Sequence, residues 1–392
     1  MKNILSLLLL AAMLVCCASC KDGVFVIDWD EESPSGKEYA DNYIYTVLGS
    51  VLYRISPYSA SCVPMCPDPL CFHNDYSCPF YGVGGNDIKM AGKYLYYLKS
   101  GEKQNIFEQG YKTLCLFDRE SGKFEVLYEA EEGSIEDLYL TDEYAFFNLT
   151  YLDKEYKYTH DICRFDRKSR TVKIMTNEPI EESVHVYAYE GERIYWSDDF
   201  SNAYYSTDMN YQNRIDGDRT YSNNASMGEY HYDLETIGYY GDTYEYCFKL
   251  TAINTVTGET KFISDTLACV PVLYNGKLIY AKHGASKYLG LYLSEDSKEP
   301  IKYYDHRGGK FYICDADGSN ERLLCDLEGT GCAVPLYADM VGNNGVGDWI
   351  AIDAYGYTEP DENGIIERDE NVILLINIVS GEVKVAEIEK RN

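Results

Sequence analysis

The chain has 392 residues, with 64 Asp and Glu against 35 Lys and Arg, a net charge of −29, and 40 Tyr among its aromatic residues. So acidic a surface excludes a nucleic-acid partner and direct adhesion to anionic lipid headgroups, because both need a basic face. The length alone suggests two or three domains, but internal repetition points to one closed structure.

Residues 1–19 open with Met1-Lys2-Asn3, continue through an apolar run from Ile4 to Val15, and end in Cys16-Cys17-Ala18-Ser19. A positive start, a short apolar segment and small residues before a cleavage point read as an export signal, too short for a durable membrane span. Ala18-Ser19-Cys20 resembles a bacterial lipobox, with Cys17 where Leu is commonest. That resemblance implies cleavage before Cys20, lipid on its sulfur, and a chain anchored at the extracytoplasmic face of the cell membrane. Residues 20–41 are rich in Asp, Glu, Ser, Pro and Gly and read as a tether; Val24-Phe25-Val26-Ile27 is an alternative strand that would complete a blade begun by the C-terminal segment. Residues 42–392 are expected to hold the folded domain.

That domain repeats one layout. Leu114-Cys115-Leu116-Phe117, then Asp118-Arg119-Glu120-Ser121-Gly122, then Lys123-Phe124-Glu125-Val126-Leu127-Tyr128 reads as a hairpin: β-prone arms around a turn of Asp, Ser and Gly. Related turns open at Ser56, Asp166, Asp208, Asn254, Asp315 and Asn377, so seven copies follow one another at intervals of 42 to 62 residues. Aromatic strands such as Tyr94-Leu95-Tyr96-Tyr97, Tyr144-Ala145-Phe146-Phe147, Arg193-Ile194-Tyr195-Trp196 and Lys277-Leu278-Ile279-Tyr280 precede most turns. Two strands plus a hairpin make a four-stranded blade, so the expected fold is all-β, a single β-propeller of seven blades. Six is the alternative, if the Asp208 hairpin is an insertion. Residues 284–307 and 355–368 read as long polar connections within late repeats, where binding loops commonly evolve.

The most distinctive local stretch is Cys62 to Phe80, with four Cys and one His within seventeen residues. Cys66, Cys71, His73 and Cys78, spaced C-x4-C-x-H-x4-C, suit a tetrahedral structural zinc, since thiolate and imidazole are its preferred ligands. Export favours one or two disulfides as the first reading of the loop, ahead of the structural metal, with unpaired thiols third. With Cys16, Cys17 and Cys20 set aside, eleven Cys remain, an odd number that disulfides within one chain cannot exhaust. Cys115, Cys163 and Cys314 fall on equivalent strands and read as small core residues. Asp315-Ala316-Asp317-Gly318-Ser319-Asn320 lacks the spacing of a calcium loop and reads as a turn. His160, His185, His231, His283 and His306 show no metal or triad spacing, and no hydrolase or nucleotide fingerprint occurs.

Ile194-Tyr195-Trp196-Ser197-Asp198 with Tyr204-Tyr205-Ser206-Thr207-Asp208 resembles the YWTD repeat of low-density-lipoprotein-receptor-type propellers, and Tyr312 to Arg322 resembles a TolB-type blade. Together with the lipobox and the Cys66 to Phe80 loop, the whole is similar to propeller lipoproteins of anaerobic Firmicutes. The resemblance implies a fold and a cell-surface address, and brings no catalytic residue. The expected function is therefore non-catalytic: a surface lipoprotein whose propeller face binds a protein partner or a glycan. A carbohydrate-active propeller enzyme, and metal binding or redox sensing through the Cys62 to Cys78 loop, are the alternatives.

Overall fold

The computed structural model describes residues 43–389, apart from 67, 69–70, 102–109, 156, 182–183, 199–203, 218–225, 240–245, 284–286, 293–300, 306–308, 329, 334–344 and 359. The expected signal, the lipidation site Cys20 and the tether, including Val24 to Ile27, lie outside the described residues. All regular structure among the described residues is β.

The strands form antiparallel sheets in chain order. The first holds β1 (Ile44–Leu48), β2 (Val51–Ser56) and β3 (Ser61–Pro64); the second β4 (Val83–Ala91), β5 (Tyr94–Ser100), β6 (Tyr111–Asp118) and β7 (Lys123–Glu129). The third holds β8 (Ser134–Leu140), β9 (Tyr144–Leu152), β10 (Tyr158–Asp166) and β11 (Thr171–Ile174), and touches the second through the single pair Tyr111 and Ile135. The fourth is β12 (Val184–Glu190), β13 (Arg193–Asp198), β14 (Tyr204–Asp208) and β15 (Ile215–Asp216). The fifth is β16 (Ser226–Met227), β17 (Tyr230–Tyr239), β18 (Tyr246–Asn254) and β19 (Thr260–Leu267). The sixth contains β20 (Val272–Tyr274) and β21 (Lys277–Ala281), then, after an inserted hairpin of β22 (Lys287–Tyr292) and β23 (Ile301–Asp305), β24 (Lys310–Asp315) and β25 (Arg322–Asp326). The seventh contains β26 (Cys332–Ala333), β27 (Trp349–Tyr357), β29 (Arg368–Asn377) and β30 (Val383–Val385), with the short β28 (Ile365–Ile366) inserted after β27. Finally β31 (Glu387–Ile388) returns to pair in parallel with β3, with Glu387 N–H donating to Ala60 O at 2.7 Å and Glu389 N–H to Cys62 O at 2.9 Å.

Central strands are apolar on both sides, and alternate residues face different neighbours. In β5, Leu95 and Tyr97 pack toward the first sheet, while Tyr96 and Leu98 pack toward the third. In β21, Leu278 and Tyr280 face the fifth sheet, while Ile279 and Ala281 face the seventh. Ile350 and Ile352 of β27 point to the sixth sheet, whereas Ala351 meets Ile44, Ile55 and Cys62 of the first. The last sheet thus packs on the first. Seven sheets in chain order, stacked face to face and joined end to end, are a seven-bladed β-propeller. The Asp208 hairpin belongs to a complete four-stranded blade, so the six-bladed alternative falls away. Among the described residues, buried clusters occupy six of the seven seams; no such cluster joins the fourth and fifth blades.

The turn residues act through their side chains. Asp166 Oδ1 accepts the N–H groups of Lys168 and Ser169 at 2.9 and 2.8 Å, and Asp118, Asp208, Asn254 and Asn377 accept in the same way. Accepting these bonds holds the Asp166 and Asp208 carboxyls below the usual carboxylate range.

A second repeat lies seven residues after each turn opener, on the outermost strand. There Lys173 reaches Asn210 Oδ1 at 2.7 Å, Lys261 reaches Asp317 at 2.9 Å, and Glu125 pairs with Arg170 at 2.7 Å. Arg322 Nη2 donates to Ile378 O at 3.1 Å, and Lys384 Nζ donates to Pro57 O and Tyr58 O, both at 3.1 Å. In every case the partner is the corresponding turn of the next blade, so these side chains latch five of the seven seams. Val63 and Ile215 hold the equivalent positions in the first and fourth blades.

The polar connections expected at 284–307 and 355–368 are partly strands instead. β22 pairs with β23 and, in parallel, with β28, forming a small sheet that ties the sixth blade to the seventh. Gly290, at φ +155, is what lets Ile366 approach; a Cβ there would lie 2.6 Å from Ile366 Cγ2. Backbone pairing across two insertions leaves no periodic trace in either segment alone.

Replacing Lys384 with Met removes two charge-assisted bonds across the joint between the last and first blades. The expected cost is about 1–2 kcal/mol in urea unfolding, with little change in the dependence on urea.

Candidate metal centre

Residues 65–82 connect the outer strand of the first blade to the inner strand of the second. The segment folds back by short backbone turns, with Cys71 N–H bonded to Asp68 O at 3.1 Å and Cys78 N–H to Asp75 O at 3.3 Å, while Asp75 Oδ1 accepts Ser77 N–H at 2.8 Å. His73 takes a left-handed backbone, φ +54, which turns the chain sharply between Cys71 and Cys78.

The loop is held from both sides. Toward the first blade, Leu52 N–H donates to Phe80 O at 2.9 Å and Val83 N–H to Ser50 O at 3.0 Å. Toward the second, Tyr97 Oη donates to Pro79 O at 3.1 Å, Lys99 Nζ to Tyr76 O at 2.8 Å and Ser100 N–H to Gly82 O at 2.7 Å. Gly82, at φ +78, lies flat against the Tyr76 ring, where a Cβ would come within 2.9 Å. Phe80 is fully buried, with Phe117 and Phe124 at 5.7 and 6.3 Å between ring centroids.

At the centre of the loop, Cys66, Cys71, His73 and Cys78 converge. Their ligating atoms all lie within 4.8 Å of one another, and Cys78 Sγ is 3.6 Å from His73 Nδ1. An edge of a tetrahedron built on zinc with three sulfurs and one nitrogen is about 3.6–3.8 Å, so the cluster has the size such an ion needs. Cys66, His73 and Cys78 are buried and Cys71 is partly exposed.

Each sulfur also receives the backbone N–H two residues ahead: Asp68 toward Cys66, His73 toward Cys71 at 3.4 Å, and Phe80 toward Cys78. N–H groups aimed at sulfur favour thiolate over thiol. The hydrogen bond from Cys78 brings the Cys66 thiol down to about 6, and donating that bond pushes Cys78 up. Burial raises Cys71. A divalent cation at the centre would favour the thiolate form of all three sulfurs. Lys99 stands beside the loop with its Nζ donating to Tyr76 O at 2.8 Å, and burial lowers its pKa.

The other cysteines stand apart from it. None of the eleven described cysteines is paired. Cys62, on β3, turns away into the seam with the seventh blade, and burial lifts it to about 12. Cys115, Cys163 and Cys314 are core residues, raised by the same cause to about 12, 12 and 11. The Asp315 to Asn320 stretch is a hairpin turn.

One polar network is invisible in the sequence. His185 Nδ1 lies 3.1 Å from Asp137 Oδ2, which also accepts from Asn148 Nδ2 at 3.1 Å. Thr150 Oγ1 donates to Glu136 Oε2 at 2.8 Å and lies 3.0 Å from His160 Nδ1. These groups come from β8, β9, β10 and β12, brought together by sheet pairing and by the seam between the third and fourth blades. Asn148, Thr150 and His160 are buried, so the network serves first as a satisfied polar seam.

The protein is thus a β-propeller with a Cys3His cluster set between its first two blades. No protein-family model matches the chain, and no curated protein matches it. Among solved structures it is similar to an oligogalacturonate lyase from Vibrio parahaemolyticus, at 9% identity over 92% of this chain and 95% of that one, with a TM-score of 0.40. A quinonprotein alcohol dehydrogenase-like protein from Bacteroides thetaiotaomicron is similar at 14% identity, over 90% of this chain and 76% of that one, with a TM-score of 0.46. TolB from Acinetobacter baumannii is similar at 14% identity, over 70% of this chain and 61% of that one, with a TM-score of 0.33. These likenesses bring no residue role to this chain.

His160 provides a pH test of the polar seam. Burial lowers its pKa below the ordinary 6.5, so the unfolded chain binds the proton more readily than the folded one. Stability is expected to decline as pH falls below 6.5, and His160→Asn should remove that part of the decline, read from urea midpoints between pH 7.5 and 5.

Proposed function

We propose that the protein is a zinc-stapled binding propeller, held at the extracytoplasmic face of the cell membrane by lipid on Cys20. The observation that carries the metal assignment is the convergence of Cys66, Cys71, His73 and Cys78 within 4.8 Å. Four protein ligands fill a tetrahedral site and leave no position for a reactive water, so the ion is structural. Zinc is the cation of choice because three thiolates and one imidazole favour a borderline-soft ion that accepts tetrahedral geometry without preference from its d electrons.

The binding role rests on the architecture. Inserted strands β22, β23 and β28 extend the sixth and seventh blades on one side, in the manner of loops that recognise ligands on rigid scaffolds. The acidic surface favours a protein partner or a neutral or basic envelope or dietary glycan over a nucleic acid. The lipid assignment follows from Ala18-Ser19-Cys20 after a short apolar run.

Purified anaerobically, residues 21–392 should carry about one zinc per chain. Cys78→Ser and His73→Ala should each lower its retention against a chelator by at least ~10-fold, and acidification should release the metal as protons compete for the ligands. Metal-free protein with Cys66, Cys71 and Cys78 in disulfides would refute the assignment. In the full chain, Cys20→Ala should abolish incorporation of labelled fatty acid and move the protein from the membrane fraction to the soluble one.

A further inference from the structure

The five seam latches have a common grammar: a residue seven places after the turn opener reaches the matching turn of the next blade. Two blades break it. In the first blade the position is Val63 and in the fourth Ile215, neither of which can form such a bond.

The seam after Val63 lies between the first and second blades, and the Cys3His loop occupies it. Cys66 leaves the outer strand β3 of the first blade within two residues of its end, and Cys78 stands five residues before β4 of the second. Cys66, Cys78 and Phe80 belong to the same buried cluster as Tyr45 and Leu52 of the first blade and Leu95, Tyr97, Cys115 and Phe117 of the second. A cation bound by Cys66 and Cys78 would join the exit of one blade to the entry of the next.

We infer that the metal centre is the fastener of the seam between the first two blades, replacing there the side-chain latch that Val63 cannot supply. This rests on the zinc reading given above and adds to it a place and a mechanical role. Without the ion, no bond links the three sulfurs and the imidazole to one another through a common centre, and the loop holds the two blades by its backbone bonds, the Tyr97 and Lys99 bonds and the packing of Phe80. The other latched seams do not depend on the metal. Loss of the ion therefore loosens one joint of the ring while the rest of it stays closed.

Amide hydrogen exchange on residues 21–392, zinc-loaded and zinc-stripped, tests this, with metal content measured on the same samples. Stripping should raise exchange at least ~10-fold in β2, β3, β5 and β6, while β24, β25, β27 and β29 at the latched seam of the sixth and seventh blades stay within ~2-fold. His73→Ala, which weakens binding without removing a thiol, should show the same local pattern in proportion to the zinc it loses. Exchange that is unchanged on stripping, or that rises equally in all seven blades, would overturn the fastener role while leaving the zinc assignment intact. A chain that contains no zinc as purified would overturn both.

Discussion

Burial on two faces governs this structure. A strand such as β21, with Leu278 and Tyr280 on one side and Ile279 and Ala281 on the other, cannot be satisfied by a single neighbour. Each large apolar side chain left in water would cost about 1.5–3 kcal/mol, and every blade carries several. A row of such sheets would end in two apolar faces, and closing the row into a ring removes both. The meeting of Ile44 and Ile55 with Ala351, Ile373 and Leu375 is that closure.

Closure in turn places the polar groups. Because turns of successive blades lie side by side, short polar contacts between them can recur with a fixed offset. In a chain with only 35 basic residues, five are committed to strand-to-turn latches: Lys173, Lys261, Arg322 and Lys384 from the strands and Arg170 from a turn. The fourth blade carries no such latch: Ile215 stands at that position, and Tyr187, Tyr195 and Tyr204 form an aromatic group within the blade. Tyr187 sits with its ring edge-on to Tyr204 at 5.7 Å, an arrangement worth about 0.5–1.5 kcal/mol beyond area burial.

What could be read in advance was what is local in the chain. Six of the seven hairpins announce themselves through an Asp or Asn that bonds to its own turn, the first through Ser56, and the Cys66 to Cys78 set lies within one loop, so spacing alone nominates it. The latches stayed hidden because Lys384 and its acceptor Pro57 are separated by nearly the whole chain, and only ring closure makes them neighbours. His160 and His185 looked scattered for a related reason, since sheet pairing and the seam supply their partners Thr150 and Asp137. The small sheet of β22, β23 and β28 draws on insertions in two blades, and neither insertion shows the pairing by itself.

The position of β1 also decides how the ring would carry load. Tension applied through the N-terminal end enters at Ile44, on a blade bounded on one side by the β31 pairing and the Lys384 latch and on the other by the Cys3His loop. Pulling there strains the backbone pairing of β31 with β3 and the loop between the first two blades before it reaches the seam of the fourth and fifth blades, on the far side of the ring. A chain tugged from that end would be stressed first at the two seams that flank the first blade.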